Sequence, residues 1–392
     1  MAITVLTSSA CESDYLAAED NSIDLSKLDT GSFATKPTPI TTTDAAETGR
    51  LAEALRLGNT MPLPTEIDPA LSHNYIGIHP IANTSDLLEG HQIALGWLAG
   101  TAFATNPTGF TAGFVTSART DDDRDLGYGL TEVVMSFDSD GDAAAAATAY
   151  AANGFVDDGT GAGEPARSSS HPTALLSWLP QFQHLVAFYP TGKFLTLVLV
   201  DDAENNSLKI SDLPDLIGKS DKAIDATVDR LKSFRPTPPD QLGALPLDPQ
   251  GMLRLSLPRP AGDQTEYAFE GTLDARGALQ NETEATPARA AFDRDGVDAV
   301  SYRAGVLYRT RDSAAAKDLL DTYFLDRFHR RIDSPSGLPN ARCVKYHGPD
   351  TRTFPFVCSV TYGRYAAQVW SQQQQDAFQR ISAQFAILAN DK

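Results

Sequence analysis

Four things are scarce in this chain of 392 residues. Long apolar runs are missing, and no stretch approaches the roughly 18–20 residues that a membrane-spanning helix needs. Positive charge is short: 32 Lys and Arg stand against 51 Asp and Glu, a formal charge of −19. That deficit excludes nucleic acid as the main partner, because phosphate binding needs a basic surface. It equally excludes a polybasic grip on anionic lipid. Catalytic motifs are missing as well: there is no Gly-x-Ser-x-Gly elbow, no His-Glu-x-x-His and no Ser-x-x-Lys set with its partners. The nearest approach to a nucleophile with a base is Ser168 to Ser170 beside His171, and adjacent residues seldom face each other productively. Gly159 to Gly163 is not followed by Gly-Lys-Ser/Thr and is not a phosphate loop. His73, His79 and His91 match no compact ligand spacing, so no metal and no cofactor is expected. Cysteine is the fourth scarcity, with three in all: Cys11 alone, and Cys343 and Cys358 close together. One leftover cysteine beside a pair suits a secreted, lipid-anchored protein.

What is present reads as more than one folded domain, given the length and an ordinary 42% of hydrophobic residues. Small residues Ser8, Ser9 and Ala10 precede Cys11, where bacterial lipoproteins are cleaved and lipidated, although no basic segment comes before them. Residues 12–43 are polar and rich in Ser, Thr, Asp and Pro, so 1–43 reads as a truncated signal and tether with one short ordered piece around 25–33. Residues 44–236 read as a first domain and 237–392 as a second, divided by Phe234-Arg-Pro-Thr-Pro-Pro239. Strand-like segments include 114–117, 131–137, 252–257 and 267–273. The run Asp138 to Asp142 lacks the glycine and glutamate positions of a calcium loop. Asp142 instead reads as the cap of an alanine-rich helix over 143–152.

Much of this pattern occurs twice. Asp142-Ala-Ala-Ala has its counterpart in Asp312-Ser-Ala-Ala at an offset of 170, and Gly192-Lys-Phe194 lies against Gly363-Arg-Tyr365 at 171. Both hairpins lead to an amphipathic helix, which makes an internal duplication the economical explanation. Antiparallel strands alternating with helices point to the α+β class: two tandem related domains, each an antiparallel sheet with helices packed on one face. Cys343 and Cys358 flank consecutive strand-like segments, and a bridge between them implies an oxidising compartment. The same offset places Pro172 and Ala187 in the first copy, so only one copy is bridged.

Several short motifs carry a resemblance: Ser8-Ser-Ala-Cys11, Ile23-Asp-Leu-Ser-Lys-Leu-Asp-Thr-Gly31, Gly49-Arg-Leu-Ala-Glu53, Glu66-Ile-Asp-Pro69, Leu245-Pro-Leu-Asp-Pro249, Leu338-Pro-Asn-Ala-Arg-Cys343 and Tyr362-Gly-Arg-Tyr365. From Cys11 onward the chain resembles a family of actinobacterial lipoproteins of mycobacteria, nocardiae and rhodococci, built from two related domains of unknown function. More loosely, it looks like the extracellular sensor domains of mycobacterial Ser/Thr kinases. The resemblance implies lipid attachment at Cys11 outside the cytoplasm and carries no catalytic residue across. The expected function is non-enzymatic: a membrane-tethered envelope protein that binds or scaffolds a lipid, glycan or partner protein, touching the membrane only through its anchor. The alternative is a carboxylate-based hydrolase of envelope lipids or glycans. Lys193 and Arg364, in equivalent places after the hairpin glycines, are the candidate contacts to an anionic head group.

Overall fold

The computed structural model describes residues 23–40, 44–75, 77–88, 103–153, 155, 163–260, 262–263, 269–323, 327–349 and 353–391. Two compact units share them. The N-terminal unit is Thr42–Leu247 with Arg276–Ala288; the C-terminal unit takes residues 23–40, Asp248–Ala275 and Arg289–Lys392. The division therefore falls after Leu247, and the 276–288 segment belongs with the first unit although it follows the division in sequence.

In the N-terminal unit, helix α1 (Ala45–Thr60) starts at Asp44, whose carboxylate accepts the N–H groups of Ala46 and Glu47. The strands are β1 (His73–Asn74), β2 (His79–Ile81), β3 (Phe110–Arg119), β4 (Tyr128–Phe137), β5 (Glu164–Ala166), β6 (Leu175–Leu179), β7 (His184–Thr191) and β8 (Phe194–Asp202). They form one antiparallel sheet in the order β1-β3-β4-β8-β7-β6-β5, with β2 also on β3. Helices α2 (Asp140–Asn153) and α3 (Leu213–Leu231) are the other long helices of the unit, beside several short helical turns. Side chains alternate across a strand, and both faces are used. Val186, Phe188, Leu195 and Leu197 pack with Ala143, Ala147 and Tyr150 of α2. Leu185, Ala187, Val198 and Val200 pack with Leu216, Ala223 and Ile224 of α3. The helices thus cover two faces rather than the expected one, which is why every residue of β4 is buried.

The C-terminal unit repeats the topology. Its strands are β9 (Gly271–Asp274), β10 (Ala299–Tyr302), β11 (Val306–Arg309), β12 (His329–Ile332), β13 (Arg342–Tyr346), β14 (Phe356–Tyr362) and β15 (Tyr365–Ser371), with the part of helix α4 (Ala285–Asp295) from Arg289 onward and helices α5 (Ser313–Tyr323) and α6 (Gln374–Ala389). The antiparallel order β9-β10-β11-β15-β14-β13-β12 matches β2-β3-β4-β8-β7-β6-β5 of the first sheet, which has β1 in addition. Register makes the match exact in places: Ser136 faces Phe194 as Arg309 faces Tyr365. The Phe137 N–H donates to the Lys193 carbonyl (2.8 Å) as the Thr310 N–H donates to that of Arg364 (2.9 Å). β4 and β11 with the caps that follow them are therefore offset by 173, the hairpins by 171.

That register corrects two expectations. The counterpart of Asp312, which accepts the Ala315 N–H, is Ser139 rather than Asp142. Ser139 Oγ accepts the Asp142 N–H (3.1 Å) and donates to its carboxylate (2.6 Å), so the helix opens three residues early. The counterpart of Cys343 is Leu176, which faces Ala187 as Cys343 faces Cys358. The segment 252–257 is no strand either. Asp248 accepts the N–H groups of Leu253 and Arg254, winding a 3-10 turn over Leu253–Leu255.

The Cys343–Cys358 disulfide joins directly opposed residues on β13 and β14, both inside the core. Replacing both by alanine is expected to lower the stability of this unit by about 3 kcal/mol, seen as an earlier urea midpoint. The ordered piece expected around 25–33 packs on the same core through Leu25, Leu28 and Phe33, and with Ile23 the order extends over 23–40, beyond the piece expected in the tether. Asp29 accepts hydrogen bonds from the amides of Gln375 and Gln379 on α6, and the Asn390 amide donates to the Thr35 carbonyl.

Candidate ligand cleft

The C-terminal end of β15 and the first turns of α6 build a cleft. Ser371 closes the strand, Gln372 and Gln373 make the turn, and the Gln373 N–H donates to Ser371 Oγ (3.1 Å). Asp376 and Arg380 follow one turn apart, on the same side of α6. Arg380 donates from Nε to Asp376 (2.6 Å) and from Nη1 and Nη2 to both oxygens of Asp263 (3.0 and 2.7 Å). The guanidinium lies 5.3 Å from the ring centroid of Phe33. Burial alone would lower the Arg380 pKa, but Asp263 and Asp376 outweigh it and hold the proton more tightly than in free arginine. Arg380 is thus a permanently charged brace that fixes two carboxylates.

With Phe354, Trp370, Ser371, Gln372 and Gln373, these residues line a cleft of about 210 Å³. Trp370 and Arg380 are buried, Phe354 is half-buried, and the two glutamines are exposed. Small-molecule pockets usually run to ~300–1,000 Å³, so one ring-sized group fits here and an acyl chain does not. Two carboxylates against one guanidinium leave the lining negative, which disfavours an anion. The glutamine amides offer both donors and acceptors.

The first unit treats the same sheet end differently. The hairpin offset puts Asp201 and Asp202 where Gln372 and Gln373 stand. On the helices the offset drops to 161: buried Leu216, Ser220, Ala223, Ile224 and Thr227 answer to buried Ala377, Ile381, Gln384, Phe385 and Leu388. Asp215 and Lys219 thereby take the places of Asp376 and Arg380. Lys219 Nζ lies 2.7 Å from both Asp202 and Asp215 and 4.1 Å from the Tyr128 ring centroid. Tyr128 in turn donates to Asp68 (2.7 Å), and burial together with that carboxylate pushes its phenol pKa up. Asp201 sits between Arg119 (2.7 Å) and His184 (3.3 Å). Burial would raise its pKa; His184 and Arg119 outweigh that and hold it below the usual carboxylate range. Charges here tie the sheet end to α3, whereas the second unit presents amides.

The family model described as domain of unknown function (DUF7373) N-terminal matches residues 40–247, and its C-terminal partner matches residues 252–391. The chain belongs to the DUF7373 family. No curated protein matches the sequence. Among solved structures, the extracellular domain of PknH from Mycobacterium tuberculosis is similar at 11% identity and a TM-score of 0.26, over 44% of this chain and 95% of that one.

Several residues singled out in the sequence fall elsewhere in the DUF7373 domains. Cys11 and His91 lie outside the described residues. Lys193 is exposed at its hairpin turn. Arg364 donates from Nε to the Thr310 carbonyl (2.9 Å) and from Nη2 to Asp298 (3.1 Å), so its charge is spent on the framework. Neither residue lines the cleft. The Ser168 hydroxyl donates to Asp221 (2.8 Å), while His171 Nε2 lies 3.2 Å from Asp225, so the pair docks a loop on α3. His73 and His79 sit on different strands, β1 and β2, and among the described residues no three His, Cys, Asp or Glu side chains gather as ligands.

The DUF7373 N-terminal domain also holds a group that the sequence conceals. Glu132 of β4 is fully buried, its pKa pushed up to about 8 by burial. Thr227 Oγ1 is bonded to both the Glu132 carboxyl and the Ala223 carbonyl (2.7 Å). A hydroxyl has one proton, so with that proton on the carbonyl the carboxyl must supply its own. Glu132 Oε2, Thr116 Oγ1 and Ser220 Oγ are buried without a hydrogen-bond partner. In the second copy the matching positions are Gly305, Ile381 for Ser220 and Leu388 for Thr227. A Cβ at Gly305 would meet the Gln368 carbonyl at 2.4 Å, so no side chain fits there.

Proposed function

We propose that this protein is a non-catalytic, extracytoplasmic binding protein of the cell envelope, tethered by a lipid on Cys11, whose C-terminal cleft takes a neutral polar ring such as one residue of an envelope glycan. The size and lining of the cleft carry this reading. Its volume favours a single ring over a lipid tail, its charge disfavours an anionic head group, and its amides, hydroxyl and aromatic rings suit a polyhydroxylated ring. The buried disulfide supports an oxidising compartment. Among the described residues no helix is long and apolar enough to cross a membrane, so attachment would rest on the lipid.

A carboxylate hydrolase needs one protonated and one ionised carboxyl facing each other across a groove. In the cleft, Asp263 and Asp376 grip the same guanidinium, and the protonated carboxyl, Glu132, is sealed in the other unit's core. Calorimetric titration with a panel of neutral mono- and disaccharides tests the binding reading. At least one is expected to bind, with affinity about tenfold weaker in Gln373→Ala and in Phe354→Ala. Binding that neither substitution weakens, or tighter binding of anionic sugars, contradicts it.

A further inference from the structure

Two loops of the N-terminal unit are enlarged relative to the second copy. The β3–β4 connection runs over residues 120–127, against 303–305 between β10 and β11. The β8–α3 connection is ten residues longer than its counterpart, the amount by which the offset falls from 171 to 161, and contains the short helix Ala203–Leu208. The enlargements are bonded together: the Gly127 N–H donates to the Glu204 carboxylate (3.1 Å), and the Glu204 N–H donates to the Gly127 carbonyl (3.1 Å). Lys209, in the left-handed region at φ 58°, turns the chain back so that the Ile210 N–H reaches the Asn205 carbonyl (2.9 Å).

These loops carry three of the four exposed large apolar side chains among the described residues: Leu126 at 45%, Leu208 at 61% and Ile210 at 47%. Scattered surface leucines need no explanation, but a group on two mutually bonded loops does. Around them stand six carboxylates and only two cations, Arg124 and Lys209. We propose that loops 120–127 and 203–212 form a docking surface for a cationic protein segment that offers an apolar side chain between lysines or arginines. Charge decides the occupant. A second copy, at −19, would meet like with like, and an anionic bilayer would be repelled for the same reason. A basic segment gains attraction at the rim and burial at the centre.

The test uses the full chain with a synthetic 15-residue peptide of alternating lysine and leucine, and a lysine–serine peptide as control. Fluorescence anisotropy at low salt should show the lysine–leucine peptide binding more tightly. Leu208→Ser with Ile210→Ser should weaken it about tenfold and bring it to the control. Asp122→Lys with Asp125→Lys should weaken both peptides and flatten the salt dependence; neither carboxylate makes a hydrogen bond that the fold needs. Circular dichroism confirms folding, since all four side chains are exposed. The proposal is overturned if the serine variant binds both peptides like the unmodified chain. It is overturned equally if Leu208 and Ile210 instead govern self-association or binding to phosphatidylglycerol vesicles.

Discussion

As pH rises from 4 to 9, Glu132→Gln should become steadily more stable than the unmodified protein. In the unfolded chain Glu132 would titrate near its ordinary 4.5; in the folded one it holds its proton to about 8. Between those values the folded state binds more protons, so its stability falls as pH rises. The loss begins near pH 4.5 and is complete once the folded carboxyl ionises above 8. At 1.36 kcal/mol per unit, the shift corresponds to a change on the order of 5 kcal/mol. For a domain of this size that is roughly 10–20 °C in melting temperature. Glutamine keeps the shape of the neutral acid and cannot ionise. No charge compensates the carboxylate: Thr116 of β3, Val198 of β8 and Thr227 of α3 face it, and none titrates. The melting temperatures of both proteins should therefore diverge between pH 4 and 9. A constant gap would show that Glu132 titrates alike in the folded and unfolded chain, with no shift from burial.

Leu28→Ala is the second large effect. In a flexible tether the substitution would be silent. Leu28 is 9% exposed and packs among Leu338, Met252 and other core residues of the C-terminal unit. Truncating a buried leucine removes transfer energy and leaves a cavity, costing ~2–5 kcal/mol. Lys36→Ala, in the same segment but outside that cluster, should change stability by less than about 0.5 kcal/mol. Chemical denaturation followed by hydrogen exchange on α6 separates the two. Equal stability of both variants would return residues 23–40 to the role of a tether. Because Phe33 lies over Arg380, the same segment also braces the cleft.

The features legible in the sequence were those with local causes. Gly192 and Gly363 sit at φ 54° and 51° in matching hairpin turns, where glycine is the natural residue. Asp312 caps its helix, and the two cysteines, close together in sequence, lie on consecutive strands. The errors arose where a distant partner decides. Met252 to Leu257 alternates like a strand, but Asp248 and Gln384 capture its backbone: the Gln384 amide donates to the Leu255 carbonyl and accepts from the Leu257 N–H. The order expected around 25–33 extends over 23–40, because this segment has too few apolar side chains to fold alone and is held by α6. Glu132 looks like the outward half of an alternating strand, since nothing local reveals that α3 covers that face. The cleft is made by Asp263, Phe354 and Arg380, far apart in the chain and free of any motif. Of the residues picked from sequence, Lys193 and Arg364 marked the duplicated framework instead.

Native mass spectrometry of the full-length protein, purified from an actinobacterial host with and without Phe354→Ala and Gln373→Ala, tests the central claim most directly. A tethered glycan-binding protein should show a lipid mass on Cys11 and a neutral saccharide adduct that the double substitution removes. An unmodified Cys11 with no saccharide adduct, or an adduct indifferent to the cleft, would contradict it.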